Sequence, residues 1–380
     1  MAGTGLKTFM LIAGEPSGDL LASELVSALR EKSPGADFFG AGGPRMAAAG
    51  TELAFDMTQH AVVGITDVLK NYFKFRALFH QLLNLAITRK PDAVIGVDYG
   101  GFNLRFGHAV KQWVRRHPEA NWNPKIVQFV SPQVWASRPG RAKVLEADYD
   151  LLLSIFPFEK KWYAEHAPKL RVEFVGHPMM DRARRPEDGG QRSGILLLPG
   201  SRKSELAHHL PVLLGALKII REKLPLVKAK MVLPDESLAA LAKSRGAELE
   251  IQIGNLPEAL AQAEAAMAST GTVTMECAFF GVPAVTLYKK TLLGLAMALG
   301  IITVKSLTMP NLMANEEVYP EFLQSEATPE KISQAALELL QNESRQKKIK
   351  SQLAQIIASL GEPGASRRAA EAILNLFAKE

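Results

Sequence analysis

The sequence predicts an α/β protein built from two doubly wound, Rossmann-like units, each a parallel sheet covered by helices on both faces. Three observations lead there. Short β-type apolar runs alternate with segments of helical period from end to end. Those runs are nearly continuous in apolar residues, as strands buried on both faces of a parallel sheet must be. Finally, 380 residues exceed what one core accommodates, and the polar stretch 182–193, rich in Arg, Pro, Glu and Gly, reads as a linker.

Taken in order, the first unit (residues 1–181) has strand candidates at 8–13, 37–41, 93–97, 125–130, 151–155 and 172–175. The second (194–345) has them at 194–198, 229–233, 248–253, 265–268 and 284–287. Helical periods cover 20–31, 67–86, 104–114 and 205–223 between them. Residues 346–380 read as closing helices, broken at Gly361-Glu-Pro-Gly364, that pack back on the first unit or on a partner subunit. Ligands of such sheets sit at the carboxyl ends of the strands, so the loops after strands carry the functional expectations.

Composition narrows the class. An apolar fraction of 47% with 22% charged residues describes a globular chain. A net charge of +6 suits an anionic substrate or an acidic lipid surface. With no block of like charges and no basic-aromatic interleaving, no nucleic-acid partner is expected. Cys277 is the single cysteine, which excludes an intramolecular disulfide and a cysteine-rich metal site. The longest uncharged run, 291–304, has 14 residues where a spanning helix needs ~20. The apolar stretch at 8–13 is too short, and too quickly stopped by Gly14-Glu15, for a secretory signal, so a cytoplasmic protein with surface membrane contact is expected. Asp148-Tyr-Asp150 is the one Asp-x-Asp, but it precedes a strand, at the wrong end for a ligand. Without clustered histidines either, neither a metal nor a cofactor is expected.

The sharpest chemistry lies in the second unit. Leu196-Leu-Leu-Pro-Gly-Ser-Arg-Lys-Ser-Glu205 runs an apolar strand into a helix mouth, delivering Ser201 and Arg202 there. Ser269-Thr-Gly-Thr-Val-Thr-Met-Glu276 repeats the plan with Thr270, Gly271 and Thr272. Two helix N-termini and a guanidinium suit a diphosphate. Glu276, one turn into the second helix, can accept from a ribose hydroxyl. In the first unit, Gly14-Glu-Pro-Ser-Gly-Asp19 reads either as a capped βα loop or, since Glu15 repels phosphate, as a loop whose Glu15, Ser17 and Gly18 meet sugar hydroxyls. It lacks the Gly-x-Gly-x-x-Gly spacing of a dinucleotide site, as does Gly40-Ala-Gly-Gly-Pro-Arg45.

Asp98 ends an apolar strand beside Gly100 and Gly101, as a general base would, or as a turn cap would. Asn103 has the place of a helix cap or of a substrate contact beside Asp98. Trp135 can stack on a sugar or pack on a loop, with Arg138 and Arg141 adding positive charge at the same edge. His177, held extended before Pro178, faces a cleft or sits at a hinge. Residues 62–76 mix bulky apolar side chains with Lys70, Lys74 and Arg76, which fits an interfacial helix on an anionic bilayer or a core-facing helix equally well.

Together these blocks resemble the lipid-A-disaccharide synthase family. The blocks that carry the likeness include Ala13-Gly-Glu-Pro-Ser-Gly-Asp19, Val97-Asp-Tyr-Gly-Gly-Phe-Asn103, Ser131-Pro-Gln-Val-Trp-Ala136, Phe174-Val-Gly-His-Pro178, Leu198-Pro-Gly-Ser-Arg202, Ser269-Thr-Gly-Thr272 and Asn311-Leu-Met-Ala314. The resemblance implies the GT-B fold, with two sheets facing a central cleft. It implies an inverting transfer of 2,3-diacylglucosamine from UDP to 2,3-diacylglucosamine 1-phosphate, giving the β-1,6 disaccharide 1-phosphate and UDP. The expected place is the inner face of the Gram-negative cytoplasmic membrane, with a homodimer through the C-terminal segment as an option. It further implies Asp98 as base and Asn311 and Gln324 in the nucleotide pocket. Departures fall at Val63-Gly-Ile-Thr-Asp67, where the family has Met-Gly-Phe-x-Glu, and at Asn315, where Gly or Asp is usual. A UDP-sugar 2-epimerase of the same fold and a non-catalytic nucleotide-lipid binding protein are the rival readings.

Overall fold

The computed structural model describes residues 7–58, 65–182, 192–289 and 304–378. The chain forms two compact units: Met1–Arg182 with Leu360–Glu380, and Ala183–Ser359. The first holds a seven-stranded sheet of β1 (Thr8–Ala13), β2 (Asp37–Gly42), β3 (Glu52–Asp56), β4 (Ala93–Val97), β5 (Lys125–Phe129), β6 (Leu151–Ser154) and β7 (Val172–Phe174). Its spatial order is β3-β2-β1-β4-β5-β6-β7, and every pairing is parallel. The second holds β8 (Ile195–Leu198), β9 (Ala229–Leu233), β10 (Glu250–Ile253), β11 (Ala265–Ser269), β12 (Ala284–Tyr288) and β13 (Glu321–Leu323), in the order β10-β9-β8-β11-β12-β13, again all parallel.

Strand order reverses once in each sheet, between β1 and β4 and between β8 and β11. There the crossovers leave to opposite faces and open a crevice at the carboxyl ends. Register sets the consequence. Ala13 lies beside Val97 and Leu198 beside Ala268, so the Gly14 and Asp98 loops emerge side by side, as do the Pro199 and Thr270 loops.

Two strands escape the sequence reading. β3 is a half-exposed edge strand and β13 has three residues, so neither shows a buried apolar run. The second-unit helix begins two residues early, at Lys203, and runs to Lys223 straight through Pro211. The proline leaves the Ala207 carbonyl without its usual donor, and the Arg245 guanidinium donates to it at 3.5 Å. Cys277 is a buried free thiol.

The tail divides at Leu360 rather than at 346. The helix Glu343–Ser359 buries Ile349, Leu353, Ile356 and Ile357 within the second unit. The helix Ala365–Leu374 instead packs on Pro16–Lys32 in the first. There Lys32 pairs with Glu371 at 2.8 Å and Arg368 Nε donates to Val175 O at 2.7 Å. The segment 62–76, read as an interfacial or a core-facing helix, is described only in part: residues 62–64 and the side chains up to 74 lie outside the described residues. No helix among the described residues is long and apolar enough to cross a membrane.

Candidate active site

In the second unit a cleft of about 500 Å³ opens at the β8/β11 switch point. It brings together Ser201, Arg202, Thr270, Gly271, Thr272 and Glu276, all expected there. Gly200 (φ +113°) turns the chain off β8, and a Cβ on it would meet Glu205 Oε2 at 2.5 Å. Gly271 (φ +138°) precedes the helix Thr272–Phe279, and nothing lies within 4 Å of where its side chain would be. The mouth of that helix is therefore open to an anion. Burial raises the Glu276 carboxyl above the ordinary carboxylate range.

Glu205 was absent from the expected set. Its carboxylate accepts from Ser201 N and Arg202 Nη1, both at 3.1 Å, so it engages donors suited to a diphosphate. His209 was also missed. Fully buried, it donates from Nδ1 to Pro199 O at 2.8 Å while Nε2 accepts from Lys289 N at 3.0 Å. This fixes one neutral tautomer, and burial lowers its pKa in the same sense. The ring ties the turn after β8 to the end of β12. Val232, Pro234 and Leu256 form an apolar wall of the cleft, beside Gly254 and Asn255.

Asn311 and Gln324 are not among the residues lining this cleft. Asn311 is buried and its amide is consumed internally. It donates to Tyr319 O (2.8 Å) and Glu321 Oε1 (3.0 Å) and accepts from Val318 N (2.9 Å) and Tyr319 N (2.8 Å). It is a clasp for the 307–321 segment. Gln324 follows β13 with φ +50° at the carboxyl edge of the sheet.

In the first unit Asp98 leaves β4 half-buried, in the left-handed region (φ +51°), followed by Tyr99 at +45°. Two successive non-glycine residues there are strained, and such strain persists only where surroundings impose it. Two buried amides impose it. Asn103 Nδ2 donates to Asp98 O at 2.9 Å and Ile12 O at 3.3 Å, and Gln128 Nε2 donates to Asp98 O at 2.8 Å and Val130 O at 3.2 Å. Asn103 is thus neither a cap, since Tyr99 holds that position, nor placed to meet a ligand. It positions Asp98. Gln128, which sequence reading passed over, does the same from β5. Burial raises the Asp98 carboxyl pKa, against a backbone hydrogen bond from Tyr99.

Gly18 is buried against this loop, where a Cβ would lie 3.4 Å from Val97 O and 3.7 Å from Asp98 Cβ. Glu15 is half-buried near the Tyr99 hydroxyl, whose pKa is raised by burial and by that charge, and Ser17 is exposed. Asp19 caps a different helix, accepting from Gly43 N (2.8 Å), Arg45 N (3.0 Å) and Met46 N (3.0 Å).

Trp135 stands in the short helix Val134–Ser137, not in a loop, and its side chain is buried. It is buried edge-on against Phe158, and its Nε1 donates to Glu159 Oε1 at 2.9 Å. His177 Nδ1 accepts from Met179 N at 3.2 Å, and its ring rests on Phe156. Burial, then the charge of Arg182, lowers its pKa to about 4, so it is a neutral cap. Among the described residues no three His, Cys, Asp or Glu side chains group as metal ligands would.

A sequence model described as lipid-A-disaccharide synthetase matches residues 9–376. The chain is similar to the lipid-A-disaccharide synthase of Trichlorobacter lovleyi, 34% identical over 97% of both chains. It is likewise 34% identical to that of Coxiella burnetii, over 98% of this chain and 99% of the relative. Among solved structures it is similar to UDP-GlcNAc 2-epimerase from Neisseria meningitidis bound to UDP-GlcNAc (TM-score 0.61, 11% identity, 97% and 100% covered). It is also similar to CalG4, the calicheamicin glycosyltransferase (TM-score 0.58, 14% identity, 98% of each covered). At these identities the structures share the fold alone, that of GT-B glycosyltransferases.

Proposed function

This chain belongs to the lipid-A-disaccharide synthetase family and is a glycosyltransferase of lipid A biosynthesis; from that premise we propose how its residues divide the work. The second unit holds UDP-2,3-diacylglucosamine. Its diphosphate takes Arg202, Ser201 and the open helix mouth at Gly271 and Thr272, its ribose takes Glu276, and its uracil lies against Val232, Pro234 and Leu256. These donors offset the charge that grows on UDP as it leaves. The observation that carries this reading is the cleft at the β8/β11 switch point, lined by these residues and, among the described residues, by no unrelated ionisable group except Glu205.

Asp98 takes the proton from the 6-hydroxyl of 2,3-diacylglucosamine 1-phosphate as that oxygen attacks the anomeric carbon opposite UDP. One displacement with one base inverts the centre and gives the β-1,6 disaccharide. The raised pKa of Asp98 supports the role, since a stronger base removes the proton more readily. Charge neutralisation by Arg202 and two helix N-termini makes a metal unnecessary in this scheme, and turnover in a chelator tests that. Because both substrates carry acyl chains, the protein works at the cytoplasmic face of the membrane, which flotation with anionic vesicles tests.

UDP release measured with each lipid alone and with both together decides between readings. Release requiring both supports the transferase. Conversion of the donor without acceptor would indicate an epimerase, and UDP binding without release would indicate a binding protein.

A further inference from the structure

We propose that Arg105, Arg138 and Arg141 form a phosphomonoester site in the first unit that grips the 1-phosphate of the acceptor. The inference rests on the transferase reading and deepens it. Arg105 stands on the helix Gly100–Arg116, two residues beyond the Asn103 that fixes Asp98. Arg138 ends the short helix Val134–Ser137 and Arg141 the turn Pro139–Arg141, both on the segment leaving β5. The two segments are packed together. Pro132 sits where a Cβ on Gly100 would come within 2.7 Å, and Gly100–Arg116 contacts the helix Ala142–Asp148 that follows Arg141.

Elsewhere in this unit Arg89, Arg115, Arg171 and Arg182 each face a carboxylate. Among the described residues, none of these three does. Burial and then the charges of Arg138 and Arg105 lower the Arg141 pKa, so both of those guanidiniums lie within electrostatic reach of Arg141. Arg105 and Arg138 are exposed and Arg141 is half-buried, so water screens much of their repulsion, and an anion shared by the three would relieve what remains. Nothing lies within 4 Å of the position a Cβ would take on Gly101 or on Gly140, so room for that anion exists at both ends. Planar guanidiniums suit a dianionic phosphate better than a diffuse surface charge does. In the acceptor the phosphate and the attacking hydroxyl hang from opposite ends of one hexose. Gripping the first would aim the second at Asp98, on the neighbouring strand end.

The test compares wild type, R138Q/R141Q and R138K/R141K by calorimetric titration with 2,3-diacylglucosamine 1-phosphate and with its dephosphorylated analogue. The glutamine variant is expected to bind the phosphorylated acceptor about 10- to 100-fold more weakly, with the lysine variant between. Both variants should bind the dephosphorylated analogue like wild type. Equal losses for both ligands, or no loss, would overturn the proposal. So would a glutamine variant that keeps its acceptor affinity but no longer floats with phosphatidylglycerol vesicles, because the arginines would then serve the membrane surface. Should wild type release no UDP, the transferase reading fails, while the titrations still report on the arginines.

Discussion

Replacing Glu159 by glutamine should remove a pH dependence from the stability of the first unit. Glu159 is 1% exposed, with Oε1 accepting from Trp135 Nε1 at 2.9 Å and Oε2 from Phe156 N at 3.3 Å. Burial raises its pKa from 4.5 to about 7, although hydrogen bonds from Trp135, Ser131 and the backbone favour the anion. Between those values the folded chain keeps a proton that the unfolded chain has released. Stability is therefore fully present below pH 4.5 and falls as pH rises through about 7, where it levels off. At 1.36 kcal/mol per pH unit the loss is roughly 3 kcal/mol. Glutamine cannot ionise, so E159Q should be the less affected protein, overtaking wild type near neutrality. One hydrogen bond lost to Phe156 N offsets about 1 kcal/mol of the gain. Trp113, Trp122, Trp135 and Trp162 are the four tryptophans and all lie in the first unit, so urea unfolding followed by tryptophan fluorescence reads this unit separately. A wild-type-minus-variant difference that stays flat from pH 4.5 to 8 would show that the carboxyl is not desolvated as described.

Three further expectations follow from the sites. Asp98→Asn should lower turnover by ~10²- to 10⁴-fold, leave the UDP dissociation constant alone and raise the thermal midpoint by deleting a half-buried charge; undiminished turnover would remove Asp98 from the base role. Wild-type turnover should also decline as acid protonates Asp98, beginning at higher pH than for an ordinary aspartate. Glu205→Gln removes a like charge from beside the diphosphate donors, so UDP should bind a few-fold more tightly in titration, and weaker binding would make Glu205 a support for Arg202 instead. Asn311→Ala abandons four hydrogen bonds, three of them buried, and should cost the second unit about 3 kcal/mol in urea. UDP affinity of the folded fraction should hold, and a large drop would return Asn311 to the nucleotide pocket.

Strand ends were the legible part of this protein. Apolar runs that stop at Gly-rich or hydroxyl-rich turns announce a parallel sheet and its ligand-bearing loops, so Arg202, Thr270–Thr272 and Glu276 could be grouped from the chain alone and share one cleft. What a residue type does not disclose is whether its hydrogen bonds are already spent. Asn311 and Trp135 carry the chemistry of ligand contacts, yet tertiary neighbours take up their polar atoms. Gln128, Glu159 and His209 fail in the opposite direction: each sits inside an unremarkable strand or helix pattern. Their importance arises from partners 30, 24 and 80 residues away that no local spacing connects.

The return of Leu360–Glu380 to the first unit makes the second an insertion in sequence. A growing chain delivers all seven strands of the first sheet early, but the helix that covers Pro16–Lys32 arrives only after residues 183–359 have been made. Until Ala365–Leu374 docks, apolar surface on that early helix stays uncovered, so the nascent first unit waits on the completed second. Any stall in translation between the two prolongs an aggregation-prone intermediate.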